Sequence, residues 1–240
     1  MNSFRHPSFC FALVLAATSA GLPAAAVSVP NHSFEAPVVP QGFPALTIFD
    51  SWQKAPAPDG FPADQWANLS GMFPNAPVGD PRHLQNADGN QVAFLFPVPG
   101  VAVSQELGSL FEVGLSYDLR IGLRGGGALT PGATFQISLF YNAGGSPVTV
   151  ASTQVSATAD YVTTPVLFEI GAQSPVVQAG DAWAGKNIGV RLLATSANGA
   201  PGTAYWEADN VRVTAVPEPG TLTLLGLGAA GGWLWRRRRA

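Results

Sequence analysis

The chain has little of the chemistry that most enzymes draw on. Its single cysteine, Cys10, lies near the start of the sequence. Everything beyond it therefore has no disulfide, no thiolate nucleophile and no cysteine-ligated metal. Histidine is scarce, with three in 240 residues. His32 and His83, with scattered carboxylates, are too few for a zinc site. No Gly-x-Ser-x-Gly elbow is present for nucleophilic hydrolysis. Gly125-Gly126-Gly127 follows a strand-like segment but opens no helix, so it cannot cradle a phosphate, and it reads as a flexible turn. Helix-forming windows are missing too, because Gly and Pro interrupt nearly all of them.

Positive charge is thin where it would matter. Between residues 27 and 216 the basic side chains are Lys54, Arg82, Arg120, Arg124, Lys186, Arg191 and Arg212, seven against fourteen acidic ones, a net charge of about −7. The whole-chain value of −3 conceals this, because Arg5 and four terminal arginines offset it. A lysine-poor, acidic surface is a poor partner for nucleic acid, whose phosphates need clustered cations.

What is present concentrates at the two ends. Arg5 and His6 precede the apolar stretch Phe9–Ala17, and Leu22-Pro23-Ala24-Ala25-Ala26 offers small residues for cleavage. This predicts a secretory signal peptide over residues 1–26, cut after Ala26 by signal peptidase. At the other end, Val216-Pro217-Glu218-Pro219-Gly220 leads into the uncharged run Thr221–Trp235, and Arg236, Arg237, Arg238 and Arg239 follow. The prolines predict an extended, solvent-reachable hinge. The run predicts a short transmembrane helix of roughly 22 Å, against a hydrocarbon core of roughly 30 Å. The arginines supply its cytoplasmic stop. This tail, residues 216–240, resembles the PEP-CTERM sorting signal. The resemblance implies transient inner-membrane insertion, cutting by an exosortase near Pro217-Glu218-Pro219, and delivery to the cell surface or extracellular matrix.

Between the ends, period-two alternation predicts strands at Gln91–Phe96, Val101–Leu107, Ser116–Leu123, Thr134–Tyr141, Val148–Val155, Val162–Ile170, Asn187–Ala194 and Ala204–Thr214. Turn residues separate them, as in an all-β antiparallel sandwich over residues 27–215. Tyr117, Leu119, Ile121, Leu123, Phe135, Ile137 and Leu139 fall on the inward face. The segment Pro37–Pro81 is proline-rich and carries Trp52, Trp66, Phe43, Phe49, Phe61 and Phe73. These rings either cover the sandwich or, with Trp52 and Trp66 foremost, line a sugar-binding groove.

Three motifs carry a further resemblance: Asn31-His32-Ser33-Phe34-Glu35, Asp88-Gly89-Asn90-Gln91-Val92-Ala93, and Asp209-Asn210-Val211-Arg212-Val213. The first and last resemble the opening and closing strands of galactose-binding-like jelly rolls, a fold that includes many carbohydrate-binding modules. The middle one resembles a subset found in PEP-CTERM proteins and in hapalindole-type, calcium-dependent indole alkaloid cyclases. In such jelly rolls the first and last strands pair, which would bring Glu35 to Asp209. Two carboxylates together need a proton or a cation, and Ca²⁺ suits oxygen ligands. The resemblance thus implies a structural Ca²⁺ on Glu35 and Asp209, with Asp50 and Asp88 as weaker candidates; Asp88-Gly89-Asn90 also reads as a hairpin turn.

The expected function is a non-catalytic binding or structural protein, without catalytic residues, associated with exopolysaccharide in the biofilm matrix. The alternative is an enzyme of the cyclase or glycan-acting kind, with Asp209 beside Trp206 or Trp52 as a buried acid. The state of the cleft separates the two. A desolvated acid among aromatics with a raised pKa favours catalysis, and a shallow groove of exposed rings favours sugar.

Overall fold

The computed structural model describes residues 24–196 and 203–218. Residues 23–218 form one compact unit. The tail's apolar run, Pro219 and Arg236–Arg239 lie outside the described residues, as does the signal peptide before residue 24. Among the described residues, no helix is long and apolar enough to cross a membrane.

Among the described residues, eleven strands build two antiparallel sheets: β1 (Ala25–Val27), β2 (Gln53–Lys54), β3 (Ser70–Pro74), β4 (Gln91–Leu95), β5 (Ala102–Leu110), β6 (Leu115–Gly127), β7 (Thr134–Ala143), β8 (Ser146–Ser156), β9 (Phe168–Gln173), β10 (Asn187–Ala194) and β11 (Ala204–Pro217). The first sheet runs β3-β4-β11-β6-β9, with β1 also on β11; the second runs β2-β5-β10-β7-β8. Strands adjacent in the chain largely alternate between sheets, as in a jelly roll. The expected pairing of first and last strands is present, with Ala25 opposite Ala215.

The alternation seen in the sequence is the core. Leu119, Ile121 and Leu123 of β6, Phe135, Ile137 and Leu139 of β7, and Ile188, Val190 and Leu192 of β10 are fully buried between the sheets. Trp206 joins them, its ring centroid 5.3 Å from that of Phe135. Each such side chain stabilises the fold by about 1.5–3 kcal/mol relative to exposure.

Two segments differ from the sequence reading. Val162–Ile170 is not one strand: a helical turn, α2 (Ala159–Thr163), takes up its first two residues, Val166 makes an isolated parallel bridge with Gln85, and β9 begins only at Phe168. Pro165 has no N–H for a ladder; Tyr161 stacks on Phe168 at 4.7 Å instead. Gly125-Gly126-Gly127 is the end of β6, not a loose turn. A Cβ on Gly126 would sit 2.3 Å from Tyr205 Cε2 and 2.8 Å from Glu207 Cδ. Glycine is required there because two side chains of β11 lie over it.

Candidate functional site

Strand alternation sends Trp206 and Ala208 of β11 into the core and turns Tyr205, Glu207 and Asp209 to the outer face of the first sheet. Register then sets their neighbours. Glu207 lies opposite Phe94 of β4 on one side and Arg124 of β6 on the other. Above them is a cleft of about 560 Å³, bordered by Phe73, Leu84, Arg124, Tyr205 and Glu207 and walled by prolines of the 74–81 loop. That volume suits a small-molecule ligand.

The cleft has an aromatic side. Its two lining rings, Phe73 and Tyr205, meet edge-on at 5.8 Å, and Phe94, which does not line the cleft, backs Phe73 at 6.1 Å. Glu207 is 5% exposed. Burial pushes its carboxyl up to about 7, with Arg124 acting the other way. Arg124 Nε is 3.0 Å from Glu207 Oε2, but its hydrogen points at the Gly125 carbonyl, 2.9 Å away. Oε2 is therefore buried beside a cation with no aligned donor, and desolvation outweighs the charge. A carboxyl poised near neutrality can give or take a proton at physiological pH. Sequence reasoning named Asp209 rather than Glu207 as the buried acid. The signal for Glu207 was its place two residues before Asp209 on the same strand face.

The two carboxylates expected to meet, Glu35 and Asp209, are both held by one turn, and the charge of Glu35 acts on Asp209. The turn at residues 88–91 links the two groups through its backbone. The Asp88 N–H donates to Asp209 Oδ2 at 2.6 Å, and the Asn90 and Gln91 N–H groups donate to Glu35 Oε1 at 2.8 and 2.7 Å. This turn ends the long loop joining β3 to β4 and is not a two-residue hairpin, since Pro74 pairs with Gln91. Asn210, in the left-handed region at φ 56°, makes a bulge in β11 directly after Asp209; asparagine is suited to that conformation.

Asp209 is fully buried, and burial raises its carboxyl to about 8. The Asp88 and Asn210 N–H groups pull it down, while the charges of Asp88 and Glu35 push it up. Its Oδ1 is buried without a hydrogen-bond partner. A buried carboxylate oxygen without a partner, in a carboxyl on which the charges of Asp88 and Glu35 act, could take a proton or a hard cation. Among the described residues no group of three or more His, Cys, Asp or Glu side chains is arranged to hold a metal, so backbone oxygens would have to complete a shell. Asp88 also takes His32 at 3.1 Å, both half exposed. Asp50 is exposed, and it is its backbone that binds the N-terminal loop, through Asn31 Nδ2 at 3.0 Å.

Trp52 and Trp66 do not form a ligand platform. They are 5% and 6% exposed and belong to the core. Their indole N–H groups donate to the carbonyls of Asn31 at 3.1 Å and Ala55 at 2.9 Å. Burying both rings removes more apolar area from water than any other pair in that segment could.

The start of the sorting tail is held, not loose. Val216 and Pro217 continue β11 opposite Ser116 and Leu115, and the Glu218 N–H donates to the Gly114 carbonyl at 3.2 Å. The hinge expected from Val216 is therefore strand through Pro217, and Glu218 is exposed. Likewise, a cut after Ala26 falls inside β1. Mass spectrometry of protein recovered from its host is expected to find Val216 and Pro217 still attached; a mature C-terminus upstream of Val216 would contradict a cut confined to accessible chain.

Comparison with known proteins agrees with this architecture. A family profile described as PEP-CTERM protein-sorting motif matches residues 215–239, and that motif implies export and cell-surface sorting. A Stig cyclase, FisC from Fischerella sp. TAU, solved in complex with (3Z)-3-(1-methyl-2-pyrrolidinylidene)-3H-indole, overlays with a TM-score of 0.60 at 16% identity, covering 82% of this chain and 100% of that one. A second cyclase structure from Fischerella sp. TAU gives 0.61, with the same identity and coverage. A carbohydrate-binding module, CBM4, gives 0.44 at 16% identity, covering 80% of this chain and 100% of its own. No curated protein matches. At 16% identity the two cyclase structures show the fold alone. The profile described as HpiC1 cyclase matches residues 25–214, most of the chain, and on that match the chain belongs to the HpiC1-like family.

Proposed function

We propose that this is an exported, surface-sorted protein whose Glu207 cleft takes a small ring-bearing molecule and transfers a proton to it. The observation that carries the reading is the Glu207 carboxyl itself. It is desolvated, raised to about 7, and set beside an aromatic wall in a cleft large enough for a ligand. That is the cleft state that favours catalysis over sugar binding. The Trp52 and Trp66 rings on which a sugar groove depended are core residues. Protonation of an electron-rich ring carbon would use the ring's π electrons to form the C–H bond, leaving a cation against the aromatic faces and a carboxylate beside Arg124. We further propose Ca²⁺ at Asp209 and Glu35, where it would fix the turn at residues 88–91 and so the loop that walls the cleft.

Deuterium uptake at C3 of 2-methylindole in D₂O, followed by NMR, tests the proton transfer, with the FisC ligand as a competitor. The wild-type protein is expected to accelerate exchange, and Glu207→Gln to lose that acceleration by about 100-fold or more. Binding of the competitor with no accelerated exchange would overturn the catalytic reading and leave a binding protein. Equal exchange in both proteins would remove Glu207 from the chemistry.

A further inference from the structure

The opposite face of the sandwich carries a polar band that the Glu207 cleft does not use. Gln53 pairs with Ser104, Ser104 with Arg191, Arg191 with Ser138, and Ser138 with Ser152. Paired residues share a face, so one row crosses all five strands of the second sheet, a span of about 19 Å. A hollow of about 240 Å³ lies along it, lined by Ser104, Glu106, Phe140, Asn142 and Arg191. The Phe140 ring lies so close over Gly189 that a Cβ there would come within 2.4 Å of it. That ring is itself 4% exposed, so it seals the base of the hollow without offering a face, and the polar groups around it include the Ser104 hydroxyl and the Gln53 and Asn142 amides.

Arg191 stands at the middle of the row. Its side chain is partly buried, yet its guanidinium makes no hydrogen bond or ion pair among the described residues. Glu106, the acid in the hollow, bonds to Asn142 instead. A half-desolvated cation without a partner is unfavourable, and it is out of place in a domain with about twice as many acids as bases. A guanidinium matches a planar oxyanion bidentately. A row across the sheet in which Gln53, Ser104 and Ser152 reach solvent on either side of Arg191 suits a chain of sugar rings.

We propose that this hollow is a binding site for acidic polysaccharide, with Arg191 taking an anionic sugar substituent and the Gln53–Ser152 row contacting neighbouring rings. It would tether the protein to an anionic glycan layer independently of chemistry at Glu207.

Electrophoresis of the full-length protein in mild non-ionic detergent, through native gels cast with alginate, dextran sulfate or neutral dextran, tests this. Wild-type protein is expected to be retarded by at least one acidic polymer and not by dextran. High salt is expected to relieve the retardation. Alginate and dextran sulfate separate carboxylate from sulfate as the preferred group. Arg191→Gln is expected to raise the apparent Kd at least tenfold, while leaving indole exchange at the other face unchanged. Ser104→Asp places an acid directly opposite Arg191 and is expected to act in the same direction, should Arg191→Gln fold poorly. Retardation that Arg191→Gln and Ser104→Asp both retain, retardation by neutral dextran alike, or no retardation by either acidic polymer overturns the proposal.

Discussion

In chelator, the folded domain is expected to unfold about 10 °C lower at pH 8.5 than at pH 5, and millimolar Ca²⁺ is expected to close most of that gap. The cause is Asp209. Its carboxyl is raised from 3.8 to about 8 by burial and by two neighbouring acids, so the folded state holds a proton that the unfolded chain releases from about pH 4 upward. The stabilising difference is complete below about pH 4 and is lost as pH rises to about 8. Four pKa units bound the effect at roughly 5 kcal/mol, and a domain of this size shifts by about 2–4 °C per kcal/mol. Glu207, raised to about 7, contributes in the same direction.

A cation bound between Asp209 and Glu35 would replace the proton and reverse the trend, adding about 2.7 kcal/mol at a hundredfold excess over Kd. Asp209→Asn keeps an oxygen for the Asp88 N–H and removes the charge. It is expected to be the more stable protein at pH 8.5 without Ca²⁺ and to ignore added Ca²⁺. Wild type and variant melting in parallel across pH, or gaining equally from Ca²⁺, would show that neither the titration nor the metal resides at this carboxylate.

The parts of the fold legible in the sequence are those where alternation is uninterrupted. Asn187–Ala194 carries Ile188, Val190 and Leu192 inward and was read at its observed limits; Ser116–Leu123 and Thr134–Tyr141 were read nearly so. Ser70–Pro74 was not read, because Gly71 leaves a gap that the Leu46 carbonyl and the Phe94 ring, both distant in sequence, fill. The Asn31 and Asp209-Asn210 motifs were visible as text, but their physical content was not. Asn31 clamps Ala36 at both its N–H and its carbonyl, and Asn210 makes a bulge. Glu207 eluded the sequence reading because its character comes from β4 and β6. Apart from its place two residues before Asp209, nothing local distinguishes a glutamate that will face Phe94 and Arg124 from one in water. The tryptophans erred in the opposite sense, since a proline-rich segment hides which of its rings the sandwich covers.

That segment depends on one lysine, and removing its charge is expected to have the second large effect. Lys54 Nζ donates to the carbonyls of Thr47, Ala67 and Ser70, the last at 2.6 Å, and lies 5.4 Å from the centre of the Phe49 ring. One ammonium thus ties β2, the turn before it, the end of helix α1 (Ala63–Ala67) and the start of β3, closing the loop that carries Trp52 and Trp66. Burial draws its pKa down to about 8, so the tie is charged at pH 7 and below. Lys54→Met keeps the apolar stem and leaves three carbonyls without their donor. Hydrogen bonds to charged groups contribute about 1.5–3 kcal/mol each and are not additive, so a loss of about 3 kcal/mol is expected. Hydrogen exchange separates this from a general weakening. Protection is expected to fall across residues 47–70 while β6, β10 and β11 keep theirs. A loss below about 1 kcal/mol, or one spread evenly over both sheets, would mean that the aromatic rings, not the ammonium, hold this segment down.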